Sequence, residues 1–246
     1  MSPSENLVLA SLNEEDLNLV ADRLQPVELP VAYVLYDPGD SVDRVFFPVS
    51  GLISSVLVAP DGRQQEVGIY GRDGFGSFSV LFGSPTSNFR HLVQTAGRAY
   101  TISTRDLLSA CAERPNLHAA LLKFPHVFSL QVAHTAFSNG NSTIEERLAR
   151  WLVMCRDRVE SNSLALTHEF LSVMLAVRRP SVTQAIHMLE ARQFIRASRG
   201  SIQILDRTGL ERLAGFTYGV PEREHAELIG SWSGRISEHS RTAAFS

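Results

Sequence analysis

The sequence predicts an α+β fold: an N-terminal antiparallel β-roll, a long helix, and a C-terminal helix-turn-helix with a hairpin wing. Three observations predict it. Turn signals recur about 11 to 12 residues apart between Asp37 and Pro85. An apolar row then runs at alternating steps of four and three from Leu117 to Thr135. Two short helical segments and a hairpin follow between Thr167 and Ile204. The chain has 246 residues, 44% hydrophobic and 20% charged, which suits a globular protein with room for more than one core.

Residues 5–25 place Leu7, Leu9, Leu12, Leu17, Val20 and Leu24 at helical spacing. The turns Asp37-Pro38-Gly39-Asp40, Pro48-Val49-Ser50-Gly51, Pro60-Asp61-Gly62, Arg72-Asp73-Gly74 and Gly83-Ser84-Pro85 then bound short strand-like runs such as Arg44–Phe47 and Ile53–Val58. Evenly spaced short strands with Gly/Pro turns indicate a sandwich or roll, here at about 27–103, with Asp61-Gly62 as the clearest hairpin. Leu117, Leu121, Phe124, Phe128, Gln131 and Thr135 form a heptad-like seam that fits either a paired helix or a helix packed on its own β domain. Pro125 interrupts it and predicts a kink or restart. Ser138–Ser142 is polar and breaker-rich, the best hinge in the chain. Thr143-Ile144-Glu145-Glu146 reads as a capping box opening a helix whose Trp151, Met154 and Cys155 belong to a core.

Thr167 caps a short helix over 168–175, a break follows at Ala176-Val177, and a second helix runs from Arg179 to about Arg192. Pro180 suits the first turn, where its missing N–H costs nothing. Ser172 and Ala176 are small enough for close helix approach, and Val182, Ile186 and Leu189 supply a buried face. The outer face presents Arg178, Arg179, Ser181, Thr183, Gln184 and His187, a mixture suited to phosphates and base edges. Phe194–Ala197, the turn Ser198-Arg199-Gly200 and Ser201–Ile204 make a wing with Arg199 at its tip. Charge agrees: residues 1–142 hold 9 basic and 14 acidic side chains, whereas 143–214 hold 11 and 8.

The run Leu166–Leu171, Met174-Leu175, Val177–Thr183, Leu189-Glu190, Phe194-Ile195, Arg199-Gly200 and Ile202–Ile204 resembles the DNA-binding domain of the Crp/Fnr family of dimeric bacterial transcription regulators. Tyr36–Asp40, Val49–Gly51 and Gly74–Gly76 resemble that family's cyclic-nucleotide-binding-type β-roll. The resemblance covers roughly residues 6–214. It implies a dimer helix at about 112–138, with double-stranded DNA, a second copy of the chain and RNA polymerase as partners. It puts Arg179 where the family contacts guanine and Ser181 where it contacts phosphate. His168 and Arg199 match backbone-contacting positions, while Pro180 and Gln184 depart from the best-known member and imply a different half-site. The implied division is 1–111 roll, 112–141 dimer helix and hinge, 142–214 winged helix-turn-helix, and 215–246 tail.

A small-molecule effector would occupy the roll, with Gly76, Ser77, Arg90 and Thr135 as the candidate pocket. The glutamate and Arg-Ser pair of the cyclic-nucleotide-responsive members are missing: Ser77 follows Gly76, and Arg90 is the sole cation nearby, in the wrong register. Cyclic AMP is therefore not the expected effector. No cofactor or metal is expected, because two cysteines, Cys111 and Cys155, cannot form a four-Cys site, and His91, His118, His126 and His134 read as surface residues. Two competing readings are a sensing module whose winged helix docks on protein, and an enzyme. The latter fails for want of a nucleophile motif or paired ligands. The expected protein is cytoplasmic, with no apolar run of about 18 residues, and a short helix is expected at 221–230.

Overall fold

The computed structural model describes residues 2–159 and 161–230. The tail beyond, with Ser231-Trp232-Ser233-Gly234, lies outside the described residues. Two short helices, α1 (Leu7–Ala10) and α2 (Glu14–Ala21), are each capped by an asparagine, Asn6 and Asn13. They lead into seven strands: β1 (Gln25–Leu29), β2 (Val34–Tyr36), β3 (Arg44–Pro48), β4 (Leu52–Val58), β5 (Gln64–Tyr70), β6 (Arg90–Thr95) and β7 (Gly97–Ser103). These form two antiparallel sheets, ordered β1-β7-β3 and β2-β6-β4-β5, the expected roll. The Asp61-Gly62 hairpin joins β4 to β5, with Gly62 at φ +84°.

The helix α3 (Thr104–Glu113) precedes the long α4 (Pro115–Asn141), which runs through Pro125 without a break. Its apolar row faces inward. Leu117, Leu121, Phe124, Phe128 and Gln131 are all buried against the chain's own roll, so this row follows the second of the two readings its spacing allowed, a helix packed on its own β domain. Phe124 and Phe128 enter the roll because glycine leaves room for them. A Cβ on Gly74 would lie 2.0 Å from the Phe124 ring, and one on Gly68 2.8 Å from Phe128. Gln131 completes the fit by accepting from the Ile69 amide at 2.6 Å and donating to the Ile69 carbonyl at 3.1 Å. Those backbone groups lie on the open edge of β5, which would otherwise present unpaired donors and acceptors.

The expected hinge is shorter than its composition suggests. Ser138–Asn141 are the last residues of α4, and only Ser142 separates them from Thr143, the N-cap of α5 (Ile144–Arg158). The capping box forms as expected: Thr143 accepts from the Glu146 amide, and Glu146 accepts in return from that of Thr143. Then come β8 (Ser163–Ala165), α6 (His168–Met174), α7 (Arg179–Ala191), β9 (Ile195–Ser198), β10 (Ser201–Ile204), α8 (Arg207–Ala214) and α9 (Val220–Leu228), where a short helix was expected. The strand β8 pairs with β10 and makes the wing three-stranded, which the sequence did not signal.

The C-terminal helices share their core with the roll: Leu52, Val56 and Ile69 of β4 and β5 pack with Trp151, Leu152, Leu171 and Met174. At this boundary Glu66 is sealed from water. Its carboxylate accepts from Ser54 Oγ, from Gln94 Nε2 at 2.9 Å and from Trp151 Nε1 at 2.7 Å. Burial lifts its pKa from 4.5 to about 7, against the pull of the Ser54 and Trp151 hydrogen bonds and of Arg150 and Arg158. The folded protein therefore keeps this proton over a range where the unfolded chain has lost it. The stability so gained is full below about 4.5 and is lost as pH rises through 7. Urea titrations of the wild type and Glu66→Gln at about pH 5 and about pH 8 should differ, the wild type losing about 2–3 kcal/mol more across that interval.

Candidate nucleic-acid interface

The first helix of the motif, α6, begins at Thr167, whose hydroxyl accepts from the Phe170 amide at 3.1 Å. Its buried side, Leu171 and Met174, meets Val182, Ala185, Ile186 and Leu189 of α7. Arg147 of α5 donates to the Leu175 carbonyl and so closes the end of α6. The chain then turns sharply at Ala176, which adopts φ +49° and is exposed. Its small size thus serves the turn, whereas the sequence suggested close helix packing. His168 Nδ1 lies 3.0 Å from Thr183 Oγ1, tying the start of α6 to the second turn of α7.

Arg178 is the N-cap of α7 and Pro180 lies in its first turn. Arg178, Arg179, Pro180, Gln184 and His187 are exposed on one side, and Ser181 and Thr183 are half-exposed. Arg179 lies 3.7 Å from Glu169, both well exposed, a surface pair that contributes little and leaves the guanidinium accessible. The start of α7 also presents the positive end of the helix dipole to an anion, with Pro180 lacking an N–H and the Ser181 amide bonded to the Arg178 carbonyl at 3.0 Å. The wing is fixed to this helix by Glu190, which accepts from the Ala197 amide at 2.8 Å. Its two-residue turn, Arg199-Gly200, projects into solvent with Gly200 at φ +75°. Sequence reasoning missed Glu190, Arg147 and β8, because none carries a local signal apart from the partner it meets in the fold.

This arrangement of two helices, turn and three-stranded wing agrees with the comparisons. A family model described as a Crp-like helix-turn-helix domain matches residues 146–213. The CRP-like cAMP-activated global transcriptional regulator of Mycobacterium tuberculosis is 27% identical over 206 residues, covering 78% of this chain and 89% of that protein. The global nitrogen regulator of Synechococcus elongatus is 24% identical over 221 residues, covering 86% and 99%. The chain thus carries a Crp-like helix-turn-helix domain and is similar over most of its length to CRP-like regulators. In fold it is similar to the c-di-GMP-responsive global regulator CLP of Xanthomonas campestris, with a TM-score of 0.65 at 17% identity, covering 78% of this chain and 99% of that one. Crp/Fnr proteins with this domain are transcription regulators, and among the described residues no helix is long and apolar enough to cross a membrane.

Of the four residues expected to line an effector pocket, Arg90 lies on β6, Thr135 on α4, and Gly76 and Ser77 in the segment after β5. Arg90 pairs with Asp37 at 2.6 Å. Its neighbour on β6, His91, points the other way, into the roll, where its Nδ1 lies 3.2 Å from the Tyr70 hydroxyl. That hydroxyl fills the space beside Gly76, where a Cβ would lie 2.1 Å from it. Ser77 is buried in a left-handed conformation with φ +63°. Thr135 donates to the Gln131 carbonyl of its own helix. His91 is buried, contrary to the surface expectation, and burial lowers its pKa to about 4, so it is neutral at pH 7. Among the described residues no group of three His, Cys, Asp or Glu side chains could hold a metal ion.

The turn can be tested directly. Ala176→Gly should leave the melting temperature unchanged or raise it. Ala176→Val, which places a branched side chain at positive φ, should lower stability by about 1–2 kcal/mol in chemical denaturation.

Proposed function

We propose that the chain is a homodimeric regulator that reads pseudo-palindromic promoter DNA with α7 and steadies itself on the backbone with the wing. The observation that carries this is the outward side of α7, where Arg178, Arg179, Gln184 and His187 are exposed together at and beyond the start of the helix. Arg179 is the guanine reader in this account, Gln184 and His187, on the same side as Pro180 and further along the helix, reach neighbouring bases, and Ser181 and Thr183 serve phosphate. His168 and Arg199 contact the flanking backbone. Two such units about one helical turn apart would address successive major grooves, and a bound dimer would act on transcription through RNA polymerase.

The dimer uses the side of α4 that the roll leaves open. Leu122, His126, Ser129, Ala133, Ala136 and Gly140 recur at steps of four and three, and all but the half-exposed Leu122 are exposed. These are mostly small residues, which let two helices approach closely. At the same end Phe137 and Phe216 stack edge-on at 5.1 Å, with 46% and 59% exposure, an apolar patch that a second copy would cover. Ala133→Glu should therefore convert the dimer to monomer in sedimentation velocity while leaving the circular dichroism spectrum unchanged.

Selection from random duplex DNA at fixed salt tests the whole reading, and enrichment of a two-fold motif is expected. Arg179→Ala should then relax preference at one base pair of each half-site and cost about 1–3 kcal/mol. Arg199→Ala should weaken binding to all sequences alike and lower the salt slope by about one. A wing that docks on protein instead would give neither enrichment nor a salt slope.

A further inference from the structure

The segment after the Crp-like domain match, which ends at residue 213, returns to the roll. Tyr218 is buried in the core of the DNA-binding unit, and eleven residues later Ile229 is buried in the core of the roll. Between them α9 lies along α4. Each end is tied by polar contacts. Tyr218 donates to Asp157 at 2.7 Å and accepts from Arg207 at 2.8 Å, while Arg150 donates to the Thr217 carbonyl at 2.8 Å. At the other end His225, fully buried, places Nε2 2.7 Å from the Asp73 carbonyl in the roll and Nδ1 3.0 Å from the Gly230 carbonyl. Glu224 meets His126 of α4 at 3.1 Å.

Asp73 is held from both sides. Its carbonyl faces His225, and its carboxylate pairs with Arg158 of α5 at 2.9 Å, both side chains almost fully buried. Glu222, itself buried, adds its charge beside Arg150 and Arg158. The backbone between α4 and α5 offers only Ser142 and Thr143 as a pivot. A turn of the DNA-binding unit about that pivot must pull α9 off α4 and draw Ile229 out of the roll. Meanwhile Arg178, Arg179, Gln184 and His187 remain exposed. The strap therefore restrains the unit without covering its reading side.

We infer that residues 215–230 are an internal clamp that fixes the orientation of the winged helix-turn-helix against the roll and so preorganises it for DNA. The inference rests on the DNA-binding reading above. With α9 detached, the unit would be held to the roll by the Glu66 contacts and the shared core alone, and the freedom so gained would have to be lost on binding, which would weaken the complex.

Spin labels at Val31 on the roll and Arg196 on the wing, in protein diluted into unlabelled chains, report the orientation directly. The wild type should give one narrow distance distribution. His225→Ala should broaden it and lower DNA affinity roughly tenfold, with base preference unchanged. His225→Gln, whose terminal amide can donate to the Asp73 carbonyl, should restore both. A distribution equally narrow in His225→Ala, or affinity unchanged or raised in that variant, would overturn the clamp. Wild-type protein that binds no DNA but still shows a narrow distribution, broadened in His225→Ala, would sink the DNA reading and leave the clamp's orienting role standing.

Discussion

Most of this structure depends on one buried carboxylate. Glu66 lies on the edge strand of the roll, where three donors from β4, β6 and α5 converge on it. A carboxylate sealed from water is costly unless its oxygens are satisfied. Trp151 therefore has to sit where it does, and α5 with it. Met174 of α6 closes the same site, its sulfur 3.1 Å from Gln94 Nε2. These contacts, together with the return of α9 to the roll, set the position of the helix-turn-helix. The interface is a continuation of the core, because Leu52, Val56 and Ile69 pack with the helices of the DNA-binding unit.

The same edge explains α4. An exposed strand edge invites pairing with other chains, and Gln131 satisfies both backbone groups of Ile69 while α6 packs on the strand further along. Once Phe124 and Phe128 are committed to the glycine-lined interior, the opposite side of α4 stays exposed. Two rows at heptad spacing on one helix thus have different tasks. Large apolar residues fill the chain's own core, and small ones are left outside.

Local chemistry was legible in the sequence and long-range partnership was not. Turn residues marked the strands, Thr143 and Thr167 marked helix starts, and the Arg199-Gly200 turn marked the wing, because each acts within a few residues of itself. The inward row of α4 was also visible, but a period of three and a half says only that one side is buried, not what buries it. His91 shows the limit plainly. Nothing nearby distinguishes it from a surface histidine, and its burial follows from Tyr70 and Ser55 on other strands. The hinge was overestimated for a related reason: Ser138–Asn141 are poor helix formers, yet tertiary packing, with Ser138 buried, carries the helix through them.

The basic residues divide in a way that composition could not show. Arg150 and Arg158 are buried and hold carbonyls and a carboxylate, and Arg207 is paired with Asp157 and Glu211. Their charge is spent inside the molecule. Arg178, Arg179, Arg196 and Arg199 stand in solvent on α7 and the wing. An excess of arginine in residues 143–214 is thus two populations, one that binds the parts of the chain to each other and one that stands in solvent. The members of the second follow the outline of the helix-turn-helix and its wing.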